Sequence, residues 1–115
     1  MIIKKGDIVL TNLEPVKGSE QGKIRPCLIV QNDLGNATSP VTIVVALTSK
    51  TEKEFPFTVL VQKEETGFQQ DSLIQCNQIR TISVKERIIK KLGALKPSTM
   101  QKVDQALKVS LGIEQ

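Results

Sequence analysis

Arg25 closes a polar, glycine-punctuated stretch, Gly18-Ser19-Glu20-Gln21-Gly22-Lys23-Ile24, and is followed directly by Pro26 and the apolar run Cys27-Leu28-Ile29-Val30. The pattern is that of a flexible loop delivering an arginine to the rim of a buried strand. Glu20, Gln21 and Lys23 lie within five residues of it. An acid, an amide and two cations gathered so closely suit the binding and chemistry of a phosphate better than they suit packing. The chain contains no histidine, so the usual proton shuttle near neutral pH is missing. Any chemistry falls to arginine, glutamate, threonine or serine.

Other polar residues sit at the ends of apolar runs. Thr48 terminates Val41-Thr42-Ile43-Val44-Val45-Ala46-Leu47, and Asn77-Gln78 interrupts the late strand-like segment 72–84. If the strands carrying Arg25 and Thr48 are antiparallel neighbours, the start of one lies beside the end of the other. A planar fork of donors then meets a hydroxyl at one rim, which is the geometry a phosphate requires.

The elements that must hold these residues are mostly strands. Gly6–Leu13 and Ile24–Asn32 read as the first two, the second apolar enough to be buried on both faces. Glu14–Lys23 is a loop long enough to suspect function. Asp33–Pro40 reads as a turn, Val41–Thr48 as the strongest strand, and Phe55–Gln62 as a further strand that Pro56 marks as an edge or a strand opening. Ser72–Cys76 and Gln78–Val84 read as two short pieces broken at Asn77, and Lys85–Lys91 as a final strand or a helical turn.

The last segment differs in kind. Pro97 suits a first helical turn, with Ser98 or Lys96 near the cap and Gly112 as the stop. Met100, Val103, Leu107 and Leu111 form a stripe of helical period. Five to seven short strands closed by one amphipathic helix imply a mainly β domain, a small antiparallel barrel or curled sheet, spanning residues 1–115 as one unit.

Composition bounds the function. The 115 residues carry a net charge of +4, with three phenylalanines and neither tyrosine nor tryptophan. Only Phe55, Phe57 and Phe68 could stack bases, which weakens a plain single-strand-binding barrel. Residues 1–32 hold five cations against three acids and residues 72–115 eight against three, while residues 33–71 hold three against six. A fold that joins its two ends thus gains a basic side, which either attracts RNA or serves as a solvated surface. Cys27 and Cys76 lie in separate apolar runs, as buried free thiols do, and no CxxC or Cys/His cluster suggests zinc. No signal peptide and no membrane-spanning run is expected, so the reading is soluble and cytoplasmic, with no metal and no cofactor.

The segments GDIVLTNLEPVKGSEQGKIRPCLIVQND, VTIVVALTSK, DSLIQCNQIRTI and KVDQALKVSLGI resemble the MazF/PemK family of toxin endoribonucleases, in order and across essentially the whole chain. The most specific parts are Gly18-Ser19-Glu20-Gln21 with Arg25-Pro26, and Gln78-Ile79-Arg80-Thr81-Ile82. The resemblance implies an SH3-like barrel with a C-terminal helix, shared with gyrase-poisoning relatives, working as a homodimer and neutralised by a cognate antitoxin. It implies metal-independent cleavage of single-stranded RNA to a 2′,3′-cyclic phosphate and a 5′-hydroxyl. Arg25 and Thr48 match the family's catalytic positions, Ser19, Glu20 and Gln21 its RNA-contacting loop, and Gln78 the polar residue of its late motif.

Residue chemistry is consistent with that expectation. The substrate's own 2′-hydroxyl is the nucleophile, so neither a protein nucleophile nor a metal-bound water is required. Arg25 meets the developing charge, Thr48 aligns the phosphate, and the proton acceptor is either Arg25 or Glu20. Ser19, Gln21, Lys23 and Gln78 are the expected RNA contacts. Arg80 reads as a structural ion-pair residue and the basic run 85–91 as a solvated face. The competing reading is a non-catalytic toxin on the same barrel that acts by binding a protein.

Overall fold

A computed structural model describes residues 1–114. Six strands form one antiparallel sheet: β1 (Asp7–Asn12), β2 (Ile24–Ile29), β3 (Val41–Thr48), β4 (Thr58–Val61), β5 (Ser72–Ser83) and β6 (Ile88–Ala94). Their spatial order is β4-β5-β3-β2-β1-β6, so the barrel-like sheet is open between its two edge strands. Four helices join or close it: α1 (Asp33–Thr38), α2 (Lys63–Thr66), α3 (Val84–Arg87) and the long C-terminal α4 (Pro97–Leu111). The fold is mainly β with a C-terminal helix, as the strand count and the final apolar stripe predict.

Alternating side chains bury both faces of the central strands. Ile8, Leu28, Val45, Leu47, Ile74 and Val103 belong to one apolar cluster, which α4 covers. Their neighbours Val9, Cys27, Ile29, Val44 and Ala46 belong to a second. Period-two alternation requires that these clusters lie on opposite faces. Arg25 and Thr48 share the parity of Cys27 and Ala46, so they belong to the second face.

Three sequence expectations need correction. Asp33–Thr38 is a short helix, not an open turn, because Asn32 caps it by accepting a 2.8 Å hydrogen bond from the Gly35 N–H. The segment 72–83 is one strand with a bulge: pairing with β3 passes from Val45–Ile79 to Ala46–Gln75, leaving residues 76–78 outside the ladder. Bulges re-aim side chains, and this one frees Gln78 to face the β1–β2 loop. In the terminal helix Val103 is buried and Met100 and Leu107 pack against the core as the stripe predicts, with Thr99 and Ala106 buried beside them, but Leu111 is 61% exposed. The helix packs against both β4 and β5.

The Lys85–Lys91 alternative resolves into both options, since α3 runs directly into β6. β4 is indeed an edge strand, and it begins at Thr58, two residues after Pro56. Pairing of β1 with β6 brings the two basic ends of the chain side by side.

Candidate functional site

The β2–β3 pairing runs from Ile29–Val44 to Cys27–Ala46, and the same register carried two residues past its end aligns Arg25 with Thr48. Both side chains therefore reach one rim on one face. Arg25 is held from two sides: its Nε donates to the Gly22 carbonyl at 2.8 Å and its Nη1 to the Leu47 carbonyl at 3.4 Å. Carbonyl acceptors orient the guanidinium without neutralising it. Among the described residues ion pairs join Lys5 to Asp104, Lys91 to Asp7 and Lys96 to Glu65, and none involves an arginine. The Thr48 hydroxyl accepts from the Lys50 N–H at 3.2 Å, so its own proton is free to be donated.

These residues line an open groove of about 530 Å³ together with Lys23, Lys50, Gln69 and Gln70. Among the described residues three cations border it and no carboxylate does. The charge lining this rim is positive, and the Arg25 guanidinium is oriented in advance of any ligand.

A smaller depression of about 200 Å³ lies beside the groove on the same face. Cys27, Val44 and Ala46 floor it, while Glu20, Gln21 and Gln78 form its rim. The floor is two residues along each strand from Arg25 and Thr48, or about 7 Å. Gln78 ties the loop down here: its Oε1 accepts from the Gln21 N–H at 3.1 Å and its Nε2 donates to the Ser19 carbonyl at 3.4 Å.

The structure thus brings Arg25, Thr48 and Lys23 together, and separately gathers Ser19, Glu20, Gln21 and Gln78. Glu20 lies on the smaller depression, where its carboxylate accepts from the Lys17 N–H at 2.7 Å. Arg80 is not in an ion pair; its Nη1 donates to the Leu13 carbonyl. Arg87 donates to the carbonyls of Asn12, at 3.1 Å, and of Glu14. Two arginines from β5 and α3 therefore clamp the entrance of the loop. The sequence assigned Arg87 with the run 85–91 to a solvated face, because its partners are backbone oxygens more than seventy residues away.

The cysteines are inert by environment. Burial pushes the Cys27 thiol up to about 11, against smaller opposing effects of Thr11, Arg25 and Arg80. Burial likewise pushes Cys76 up to about 12. Both are free thiols, and among the described residues no group of three or more cysteine and acidic side chains is arranged to hold a metal ion.

A cationic groove at a two-strand rim could be shared by unrelated proteins, but the whole chain is matched. Residues 4–111 fit the family described as the PemK-like, MazF-like toxin of type II toxin–antitoxin systems. The chain belongs to the PemK/MazF toxin family. Among its PemK/MazF relatives, endoribonuclease EndoA of Bacillus subtilis is 46% identical over 114 residues, covering 98% of this chain and 97% of the relative. The fold matches crystallised MazF from Deinococcus radiodurans with a TM-score of 0.86 at 22% identity, covering 98% of this chain and 99% of that one. It also matches a mycobacterial endoribonuclease solved with its cognate antitoxin, with a TM-score of 0.81 at 24% identity and 98% coverage of each chain.

Proposed function

We propose that this PemK/MazF-family chain is an endoribonuclease that cuts single-stranded RNA at the Arg25–Thr48 groove. The observation that carries the reading is the fixed pairing of a carbonyl-oriented guanidinium with a free hydroxyl in a groove bordered by three cations and no acid. In the reaction the 2′-oxygen attacks the adjacent phosphorus and the bond to the 5′-oxygen breaks. The products are a 2′,3′-cyclic phosphate and a 5′-hydroxyl. Arg25 stabilises the charge that accumulates on the non-bridging oxygens, and Thr48 donates to one of them to hold the phosphate in line. The 2′-hydroxyl proton passes either to the Glu20 carboxylate, with water protonating the leaving 5′-oxygen, or to Arg25 in a concerted relay in which the guanidinium gives one of its own N–H protons to that oxygen and so keeps its charge.

Ser19, Gln21, Lys23 and Gln78 contact the RNA. The neighbouring depression, with an apolar floor and an amide rim, suits an unstacked base read along its polar edge. The endoribonuclease name of the Bacillus relative and the antitoxin complexes of the structural neighbours support RNA as substrate and a cognate antitoxin as partner. An antitoxin with an acidic segment would complement the groove, and the working unit is a homodimer in the cytoplasm. No helix of the described residues is long and apolar enough to cross a membrane.

The test is incubation of the purified protein with a long defined RNA, followed by mapping of the cut ends and their chemistry. Discrete cuts with cyclic-phosphate ends are expected, and Arg25→Ala should abolish them while leaving the circular dichroism spectrum unchanged. Cleavage by Arg25→Ala at the parental rate would overturn the assignment of the site.

A further inference from the structure

Glu14 lies outside both depressions, and its contacts lead back to Arg25. Its carboxylate Oε2 accepts from the Lys23 N–H at 3.0 Å, closing the β1–β2 loop across nine residues. Beside it the Leu13 N–H donates to the Lys23 carbonyl at 2.9 Å. Lys23 has φ of +67°, a left-handed conformation that side-chain-bearing residues rarely adopt, so something must hold it there. The carboxylate also packs against Gly22: a Cβ at that position would lie 2.4 Å from Glu14 Oε2. Glu14 and Gly22 fit together only because the glycine has no side chain.

Gly22 is the residue whose carbonyl receives Arg25 Nε. The chain of contacts is therefore short: Glu14 carboxylate to Lys23 N–H, the Gly22–Lys23 peptide, Gly22 carbonyl to Arg25 Nε. At its other end Glu14 is fixed by the Arg87 guanidinium on its carbonyl and by its own N–H, which donates to Asn12 Oδ1 at 3.0 Å. Release of the carboxylate would let the strained Lys23 relax and carry the Gly22 carbonyl with it. Of the two carbonyls that fix the plane of the guanidinium, only that of Leu47 would remain.

We infer that Glu14 is a positioning residue for Arg25, setting the angle of the guanidinium through the Gly22–Lys23 peptide without touching the substrate. The inference rests on the endoribonuclease reading of the Arg25–Thr48 groove. A misplacement of about 1 Å in a catalytic group can cost on the order of a hundredfold in rate. Partial misorientation by loss of one of two anchors should cost less, about tenfold in kcat.

The experiment compares Glu14→Ala, Glu14→Gln, Arg25→Lys and the double variant Glu14→Ala/Arg25→Lys on a short RNA carrying one mapped cut site. Glu14→Ala should lower kcat about tenfold with KM changed less than about twofold, because the interaction lost is one made in the transition state. Glu14→Gln keeps an oxygen that can accept from Lys23 N–H and should recover most of that loss. Arg25→Lys retains the charge but has no Nε–H for Gly22, so adding Glu14→Ala should change its residual rate less than about twofold. A parental kcat for Glu14→Ala, a rise in KM alone, or an undiminished tenfold loss in the Arg25→Lys background would each overturn the inference. If Arg25→Ala itself cuts normally, the failure is that of the site assignment; if Arg25→Ala is inactive and Glu14→Ala is parental, it is that of the Glu14 role alone.

Discussion

At the scale of single residues, the decisive contrast is between groups held by charges and groups held by backbone. Arg25, Arg80 and Arg87 all donate to carbonyl oxygens, and none is neutralised by a carboxylate. Arg25 presents its guanidinium at the groove, whereas the other two direct theirs to the loop entrance. Replacing Thr48 with valine keeps the β-branched shape and removes the hydroxyl. Loss of one preorganised donor should lower kcat on the order of a hundredfold, measured on a single-site RNA, with little change in thermal midpoint. The thiols give a separate prediction. Both are neutral in the fold and shifted upward from an ordinary value of 9.0, Cys27 to about 11 and Cys76 to about 12. Unfolded thiols release protons first as pH rises, so their contribution is complete below pH 9 and lost between about pH 9 and 12. Urea unfolding should show stability falling over that range, with a shallower slope in Cys76→Ala.

At the scale of elements, the long helix and the β1–β2 loop are both secured from outside themselves. α4 starts at Lys96 and Pro97 with no side-chain cap of its own. Glu65 of α2 supplies one: its carboxylate accepts from the Lys96 N–H at 3.0 Å and the Thr99 hydroxyl at 2.9 Å. Glu65→Ala should therefore destabilise the protein by about 1–2 kcal/mol in urea titration, in the range for lost caps. Activity should change little, because the groove is built from other elements. The loop has the opposite profile. Gly22→Ala would drive a Cβ into Glu14 and Val16, the latter at 2.6 Å, and displace the segment that holds Arg25. Cleavage should fall at least tenfold while the unfolding free energy changes by no more than about 1 kcal/mol, as expected for an exposed loop.

At the scale of the whole molecule, the sheet joins two basic chain ends and leaves one cationic groove open. RNA binding through that surface should weaken steeply with salt. The logarithm of the binding constant for a non-cleavable single strand should fall with the logarithm of salt at about −0.7 per phosphate contacted. A flat salt dependence would disconnect the groove from RNA. Lys50→Ala should reduce that slope by nearly one contact, whereas Lys102→Ala, on α4 and outside the groove, should leave it unchanged.

The sequence by itself marked most of the strands and the final helix, and it put Arg25 at a strand start and Thr48 at a strand end, because each of these is written in local patterns. Continuous apolar runs mark β2 and β3, and Pro97 and Gly112 bracket α4, whereas it is the antiparallel pairing of β2 with β3 that makes a strand start meet a strand end. Tertiary structure alone decided the rest. The late segment became one strand because its three unpaired residues form a bulge, a distinction made by pairing with β3 and not by local pattern. On α4, Thr99 and Ala106 joined the expected Met100, Val103 and Leu107 against the core while Leu111 stayed exposed, a choice made where the helix meets β4 and β5. Glu65, Arg87 and Gln78 gained their roles from partners 31 to 75 residues distant. Glu14 reaches Lys23 only through a folded loop. Hydrophobic periodicity is carried by neighbours along the chain, whereas a hydrogen bond to a distant carbonyl leaves no trace in composition or spacing.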